Sequence, residues 1–483
     1  MIIKQLFLFF VCMIALELQG QIQEGFLLTP FQTDSVNKEV NAPHSGIYPI
    51  IPLNIAKKIG FRLNKNNQVI PLVDLGIQNN TEINYRFSGG LLFEGTPLKN
   101  LYYRIGGLVY YAKNDTFFHV PFGKEIGQKG LGLLGSPMGR ISYSPHKYFN
   151  FQLGYDKNFI GEGSRSLFLS DYGKPYLFGQ IKTHFWHLDY LILYQSLREN
   201  YQGKNQTKYA ASHFLSWNIT KKININFFES VIFRAKDTLL QRGFDPEYLN
   251  PLIFYRPQEY AIGSSDNALL GLGLTIKIKK SKLYSQLIID DFLLSAVQAQ
   301  SGYWANKIGG QIGFKSMHKK GNNNLFYRIE INAVRPYTYS HLNPMQNYGN
   351  NNATLSHPLG ANFIELYFEG KWNYLKNTFQ LSGSYGLMGL DKNNLNFGAN
   401  IYQSYALRPN DFGVVIGQGT GVNFYRVNLQ YSRVITEKGS ISAFAELQFR
   451  GDQYQINNTS TIQYHILPVI GLRSQLWNEY RNY

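Results

Sequence analysis

The stretch Leu325-Phe326-Tyr327-Arg328-Ile329-Glu330-Ile331-Asn332-Ala333 alternates along its length. Its odd-numbered residues are apolar, and its even-numbered residues include Arg328, Glu330 and Asn332. Successive side chains of a β-strand point to opposite sides. The pattern therefore predicts a strand with one apolar face and one charged face.

The same alternation recurs from about residue 68 onward, for example in 274–279, 364–369, 425–431 and 441–450. A soluble β-sandwich also alternates, but its strands are usually ~5–6 residues long, and these segments are longer. Arg and Glu also share the polar face, as in the enclosed interior of a membrane barrel. We predict an all-β fold, a transmembrane antiparallel β-barrel of about 16–18 strands.

Length and aromatic content agree with a barrel. A soluble chain of 483 residues would divide into several domains, because single cores stop growing near ~250–300 residues. The chain is 15% aromatic, with 35 Tyr and 34 Phe. A barrel places such rings in two girdles, one at each membrane interface.

The first residues have the pattern of an export signal. Lys4 precedes an apolar run from Leu6 to Leu16, and Gly20 offers a cleavage site, so we expect a signal peptide at 1–20. The run is shorter than the ~18–20 residues of a spanning helix. Cys12 lies inside it, and the exported chain would hold no cysteine. Residues 21–65 do not alternate and are predicted as a small N-terminal periplasmic or plug segment, before a barrel at 66–483.

Turn signals divide the strands. Short polar turns are predicted at 79–80, 113–115, 221–222, 320–322, 391–393 and 437–439, and long loops near 115–140, 236–266, 295–305, 335–360 and 403–420. Barrel asymmetry places the long loops outside the cell and the short turns in the periplasm. A final strand from Ile466 to the aromatic Tyr483 would be read by the outer-membrane assembly machinery, with Pro468 near its start or at a bulge.

Catalytic signatures are missing from the sequence. It contains no GxSxG, HExxH or Walker A motif. Gly130–Gly135 matches GxGxxG, but Pro137 stands where a helix should begin, which favours a glycine-rich loop. His184 and His187 would point to opposite faces of a strand and could not share a metal. We expect a non-enzyme without cofactor or metal.

The net charge of +16 points to anionic partners. Export excludes nucleic acid as a partner. The anionic partners that remain are the lipid bilayer with its lipopolysaccharide and acidic surface polysaccharide. The alternative is that clusters such as Lys277, Lys279, Lys280 and Lys282 merely solvate turns.

Three groups of motifs carry a family resemblance. They are 151–171 with Pro175; 250–260 with 263–267, Gln286 and 290–292; and 335–341 with 347–349 and 357–362. In these the chain resembles the Wzi-like capsule-assembly outer-membrane proteins, in the Bacteroidota branch that includes the gliding-motility protein RemB. The resemblance implies a monomeric, lectin-like barrel in the outer membrane of a Gram-negative bacterium, which attaches or organises capsular polysaccharide.

Ten residues within or beside these motifs suit sugar recognition, because Arg can fork onto a carboxylate, Asp and Asn can bind hydroxyls, and Tyr can stack on a sugar face. They are Arg165, Asp171, Arg256, Glu259, Asp266, Asn267, Arg335, His341, Tyr348 and His357. The alternative is an internal network that fills the barrel, above all for Glu162 with Arg165 and for Arg256 with Glu259. Three functions stay open: polysaccharide binding, a gliding or surface-adhesion component, and a diffusion channel.

Overall fold

The structure is a computed structural model that describes residues 46, 67–79, 83–98, 100–113, 124–125, 133–146, 148–235, 243–251, 266–436, 441–456 and 459–474. The expected signal peptide, most of segment 21–65 and the terminal Tyr483 lie outside these residues. In the described part, no helix is long and apolar enough to cross a membrane.

Within the described residues, eighteen long strands form one closed antiparallel barrel, which confirms the predicted fold. Each strand pairs with the next along the chain, and the register Asp74↔Arg473 to Gln78↔Val469 joins the last strand to the first. A two-residue strand, Lys124–Glu125, adds to one edge of β4. In chain order the strands are β1 Gln68–Asn79, β2 Ile83–Leu98, β3 Leu101–Lys113, β4 Leu133–His146, β5 Phe149–Asp156, β6 Tyr176–Phe185, β7 Leu188–Tyr201, β8 Lys204–Asn218, β9 Ile223–Arg234, β10 Asn267–Ile278, β11 Ser281–Asp291, β12 Lys307–Lys320, β13 Asn323–Val334, β14 Phe363–Tyr374, β15 Asn377–Leu390, β16 Thr420–Thr436, β17 Ile441–Ile456 and β18 Thr459–Ser474.

The two faces of each strand differ as the alternation predicts. In β13, Ile329 and Ile331 point outward and are 46% and 52% exposed, whereas Glu330 and Asn332 point into the lumen and are buried. Exposed Leu, Ile and aromatic side chains continue around the outer wall. Such an apolar belt is the surface that a bilayer covers.

Aromatic side chains collect near both ends of the outer wall. Near one end, Trp372 packs 5.3 Å from Phe379, and Phe379 packs 4.9 Å from Tyr431. Near the other, Tyr385 packs 5.1 Å from Tyr425. On β14–β16, aromatic rings therefore lie toward both ends of the outer wall, as the two predicted girdles require.

All the long connections lie at one end of the barrel, together with the short connections 80–82, 202–203 and 457–458. The short-turn end carries only connections of two to four residues: 99–100, 147–148, 186–187, 219–222, 279–280, 321–322, 375–376 and 437–440. The long-loop end carries all the long ones: 114–132, 157–175, 235–266, 292–306, 335–362 and 391–419. This is the loop asymmetry of outer-membrane barrels.

Several local predictions were wrong. The final strand begins at Thr459 rather than at Ile466, and Pro468 lies in mid-strand opposite Leu447 without a shift of register. The short turn predicted at 79–80 follows β1 at the long-loop end and not at the short-turn end.

The turn at 391–393 opens the long connection 391–419, and that at 113–115 opens 114–132. The predicted glycine-rich loop ends earlier than expected, because Gly135 and Pro137 already belong to β4. Pro137 fits there because its side chain faces outward and is exposed.

Part of the connection 235–266 lies against the outer wall. Phe244 contacts the rings of Tyr194, Tyr209 and Phe233 on β7, β8 and β9. Tyr194 also donates its hydroxyl to the Leu249 carbonyl at 3.1 Å. The strap 243–251 therefore shields one strip of the wall near the long-loop end.

A substitution at Gly471 on β18 tests the pairing between β18 and β1, here called the closing seam. A Cβ at this position would lie 1.9 Å from the Leu75 carbonyl oxygen of β1. We expect Gly471→Val to destabilise the barrel by about 3 kcal/mol or more, because the clash is with backbone that closes the ring. Urea unfolding of the vesicle-inserted protein measures this.

Gly310→Val is the matched control, because no atom lies within 4 Å of a Cβ built at Gly310. Equal unfolding midpoints for the two variants would contradict the importance of the seam.

Candidate functional site

Connection 157–175 enters the lumen as a first plug loop. Leu167, Phe168 and Leu169 are fully buried in the main apolar cluster. The loop approaches the wall closely at Gly161, where φ is +149° and a Cβ would lie 2.7 Å from Gln286 Nε2. Only glycine accepts both that conformation and that approach.

The first plug loop bonds to strands across the lumen. The Leu167 amide donates to Gln286 Oε1 of β11 at 2.8 Å, and the Ser164 amide donates to Glu330 Oε1 of β13 at 2.6 Å. Glu162 accepts from Lys315 Nζ of β12 at 2.6 Å. Lys282 Nζ of β11 lies 3.6 Å from the same carboxylate.

Arg165 is the centre of a buried ionic group. Its guanidinium carbon lies 3.7 Å from the centre of the Tyr367 ring, and Nη1 lies 3.7 Å from Glu365 Oε1 on β14. The second oxygen of Glu365 contacts His357 Nε2 at 2.9 Å and accepts from Asn332 Nδ2 at 3.1 Å. These contacts tie the plug to the wall by charge as well as by packing.

Connection 335–362, the second plug loop, crosses toward β7 and β8. Lys208 Nζ of β8 donates to Asn347 Oδ1 at 2.6 Å, and the Asn351 amide donates to the Arg198 carbonyl of β7 at 2.6 Å. The Tyr348 hydroxyl donates to the Phe168 carbonyl of the first plug loop at 2.7 Å. Burial raises the pKa of Tyr348 well above its ordinary value, so the hydroxyl keeps the proton it donates. The two loops thus form one packed plug.

The ten predicted residues fall into three places. Arg165, Tyr348 and His357 are buried inside the plug. Asp171 lies in the first plug loop, where its carbonyl accepts from Lys157 Nζ at 2.9 Å. Arg256 and Glu259 lie outside the described residues.

The other four lie toward the long-loop end. Asp266 accepts from the Tyr248 hydroxyl at 2.8 Å, and Asn267 Nδ2 donates to the Gln346 carbonyl at 2.9 Å. Arg335 Nε donates to the Asn306 carbonyl at 2.8 Å and so links the start of connection 335–362 to the end of connection 292–306. Burial, with Lys307 nearby, lowers the pKa of His341 to about 4, so this imidazole is neutral at pH 7.

A loop aromatic surface lies beyond the plug. Its residues are Tyr303, Trp304, His341, Tyr405, Arg408, Asp411 and Phe412, from connections 292–306, 335–362 and 391–419. Trp304 is the buried anchor, with the Tyr405 ring 4.6 Å and the Arg408 guanidinium carbon 4.1 Å from its ring centre.

The outer members of this surface are accessible. Phe412 is 60% exposed and packs 5.5 Å from Tyr303. Arg408 Nε lies 2.7 Å from Asp411 Oδ1, whose side chain is 54% exposed. Backbone bonds from Gly413 to Ser301 and from Trp304 to Asp411 hold the two loops in register. The surface combines ring faces, a guanidinium and a carboxylate.

Sequence reasoning missed most of this surface. Of its residues only His341 was predicted, because the others fall in stretches marked merely as long loops. The available signal was local: Tyr303-Trp304 in one loop, and Tyr405 with Arg408 in another. No group of His, Cys, Asp or Glu among the described residues could hold a metal ion.

The fold resembles that of outer-membrane barrels. No protein-family model matches it, and no curated protein does. Among solved structures it is similar to Wzi of Escherichia coli, an outer-membrane protein involved in group 1 capsule assembly and a carbohydrate-binding β-barrel. That match has a TM-score of 0.55 and 13% identity and covers 86% of each chain.

Weaker similarities extend to other barrels. OprD of Pseudomonas aeruginosa matches with a TM-score of 0.44 and 9% identity over 84% of this chain and 95% of its own. A BenF-like porin from Pseudomonas fluorescens matches with a TM-score of 0.43 and 9% identity over 85% of this chain and all (100%) of its own. At these identities the likeness to Wzi shows a common fold.

The Arg165–Glu365 pair should hold the plug. We expect Glu365→Gln to lower the free energy of unfolding by about 3–5 kcal/mol, because it leaves the buried Arg165 charge without its partner. Urea unfolding in vesicles measures the loss. Asp411→Asn, at an exposed ion pair, is the control and should cost less than about 1 kcal/mol.

A double-mutant cycle separates pairing from packing. Arg165→Met combined with Glu365→Gln should recover part of the single-mutant loss. If the two losses simply add, the pair does not stabilise the plug.

Proposed function

We propose that the chain is a non-catalytic outer-membrane barrel that binds acidic surface polysaccharide at its long-loop end, through the loop aromatic surface. The observation that carries this proposal is the grouping of Tyr405 and Arg408 on Trp304 at the rim, with Phe412 on the neighbouring Tyr303. Aromatic faces pack on the C–H faces of sugar rings, and a guanidinium forks onto a uronate carboxylate.

The Arg408–Asp411 pair suits ligand exchange. Because it is exposed, it contributes at most about 1 kcal/mol, and a uronate carboxylate can take the place of Asp411. Arg408 remains oriented by Trp304 during this exchange, since its guanidinium lies over that ring. His341 is neutral at pH 7, so Arg408 supplies the positive charge of this surface.

The wider setting supports the same proposal. The similar fold of Wzi belongs to a carbohydrate-binding barrel, and the exposed apolar belt fits a bilayer. We further propose that 1–20 is a cleaved signal and that 21–65 contributes to the plug. Gly46 of that segment supports a plug role, since its carbonyl accepts from the Gly161 amide at 2.7 Å.

We propose a ligand role for only some of the residues predicted from the sequence, namely those nearer the long-loop end. Arg165, Tyr348 and His357 are proposed to position the plug, because their partners are protein groups inside the lumen. His341 and Arg335 stay in the proposal, the first at the rim of the surface and the second as a support for its loops.

Variants of the loop aromatic surface test the binding site. We expect Phe412→Ala and Arg408→Gln each to weaken binding of an acidic polysaccharide by about tenfold, through loss of a stacking face and of a charged hydrogen bond. Biolayer interferometry of the vesicle-inserted protein against the host's own surface polysaccharide, or against polygalacturonate, measures this.

Phe379→Ala is the matched control, because Phe379 is exposed on the outer wall near the opposite end. Equal weakening by Phe379→Ala, or unchanged binding by the Phe412 and Arg408 variants, would place the glycan elsewhere.

Because the plug fills the lumen, we expect the protein not to act as a diffusion channel. In planar bilayers we expect the protein to show no stable open conductance, because both plug loops bond to the wall across the lumen. Steady single-channel steps from the native protein would restore the channel hypothesis.

The role in the cell stays a prediction. Capsule retention and surface spreading of a deletion strain separate capsule assembly from a gliding or adhesion role.

A further inference from the structure

Exposed lysines mark four neighbouring turns at the short-turn end. They are Lys221, Lys222, Lys279, Lys280, Lys320 and Lys376. The segments 217–224, 277–282, 319–324 and 373–378, which contain these turns, hold no Asp or Glu. Positive charge is therefore concentrated on one arc of this end, here called the basic turn arc.

The basic turn arc is separate from the plug network. Within the described part of the chain, Lys221, Lys222, Lys279, Lys280 and Lys320 form no ion pair with a carboxylate. By contrast, Lys282 and Lys315 point into the lumen and bind Glu162. The exposed lysines are thus not explained by the stability of the plug.

Aromatic residues place the arc at the level of a membrane surface. Trp217 lies just before the first of these turns, and Trp372 and Tyr374 lie just before the last, all three exposed on the outer wall. Trp372 stacks on Tyr374, with ring centres 6.4 Å apart. Trp and Tyr at strand ends mark the bilayer interface. Lysines one step beyond them reach the depth of the lipid phosphates.

The width of the arc indicates an extended ligand. Its turns join β8 to β15, eight neighbouring strands of the ring. A small anion would need converging donors, whereas these lysines are spread along a wall. We propose that the basic turn arc binds the phosphate headgroups of anionic phospholipids in the leaflet at the short-turn end. This rests on the membrane insertion proposed above and is independent of glycan binding.

Lipid-selective quenching tests the arc. The protein is inserted in phosphatidylcholine vesicles with either brominated phosphatidylglycerol or brominated phosphatidylcholine, which quench Trp217 and Trp372 on contact. We expect phosphatidylglycerol to be preferred by at least about fivefold, since a single lysine near an anionic surface contributes on the order of a fivefold preference at low salt. The variant K221Q/K222Q/K279Q/K280Q, which keeps Lys320 and Lys376, should lower the ratio several-fold. Raising NaCl to about 0.5 M should lower the wild-type preference.

Charge-matched pairs provide the control. K279Q/K280Q should lower the preference, whereas K204Q/K392Q, which removes two exposed lysines at the long-loop end, should not. Equal effects of the two pairs, or a preference that persists at high salt, would overturn the proposal. If the four-lysine variant instead loses binding to polygalacturonate with its lipid ratio unchanged, the arc takes a soluble acidic polymer.

Folding is checked in the same vesicles by heat-dependent migration in gel electrophoresis. An inserted barrel without lipid preference overturns this inference alone, and failed insertion of the wild type overturns the proposed location.

Discussion

Every other feature of the molecule depends on the closure of the ring between β18 and β1. An edge strand facing lipid would leave its amides and carbonyls unpaired, at a cost of several kcal/mol for each group. The pairing of β18 with β1, which includes Asp74↔Arg473, removes the last such edge. Closure also encloses the lumen, so that charged side chains on the inner face meet each other rather than lipid. Asp74 shows both effects, since it belongs to the seam and binds Arg86 at 2.7 Å inside the barrel.

The enclosed lumen makes the plug possible. Arg165 and Glu365 come from a loop and a strand on different parts of the ring, and both are almost completely buried. Such a pair offsets its desolvation only when its geometry is good and its other hydrogen-bonding atoms have partners. His357 and Asn332 supply them on the Glu365 side. The plug therefore behaves as part of the wall, and the proposed glycan binding is assigned to the loops above it.

The strands could be predicted from the sequence because their signal is local. A period of two needs only neighbouring residues, so β13 was recognisable from 325–333 alone, and the total of eighteen strands came at the upper end of the predicted range. The sequence left an internal network open as an alternative for Glu162 with Arg165, but it could not choose between that network and a ligand site, because the same residue types suit both. The structure places both residues in an internal network with other partners, Arg165 with Glu365 across the lumen and Glu162 with Lys315. The loop aromatic surface was missed because Trp304 and Tyr405 meet only after two loops fold together.

The two ends of the barrel differ in chemistry because their connections differ in length. Two-residue turns leave room only for side chains that project outward, and lysines do so with their stems on the wall and their charges in water. Long loops can fold back, bury Trp304 and Tyr337, and hold Arg408 over a ring. A broad layer of charge therefore forms at one end and a shaped surface at the other. The proposed glycan recognition therefore needs the long loops, and the proposed lipid binding needs only the turns.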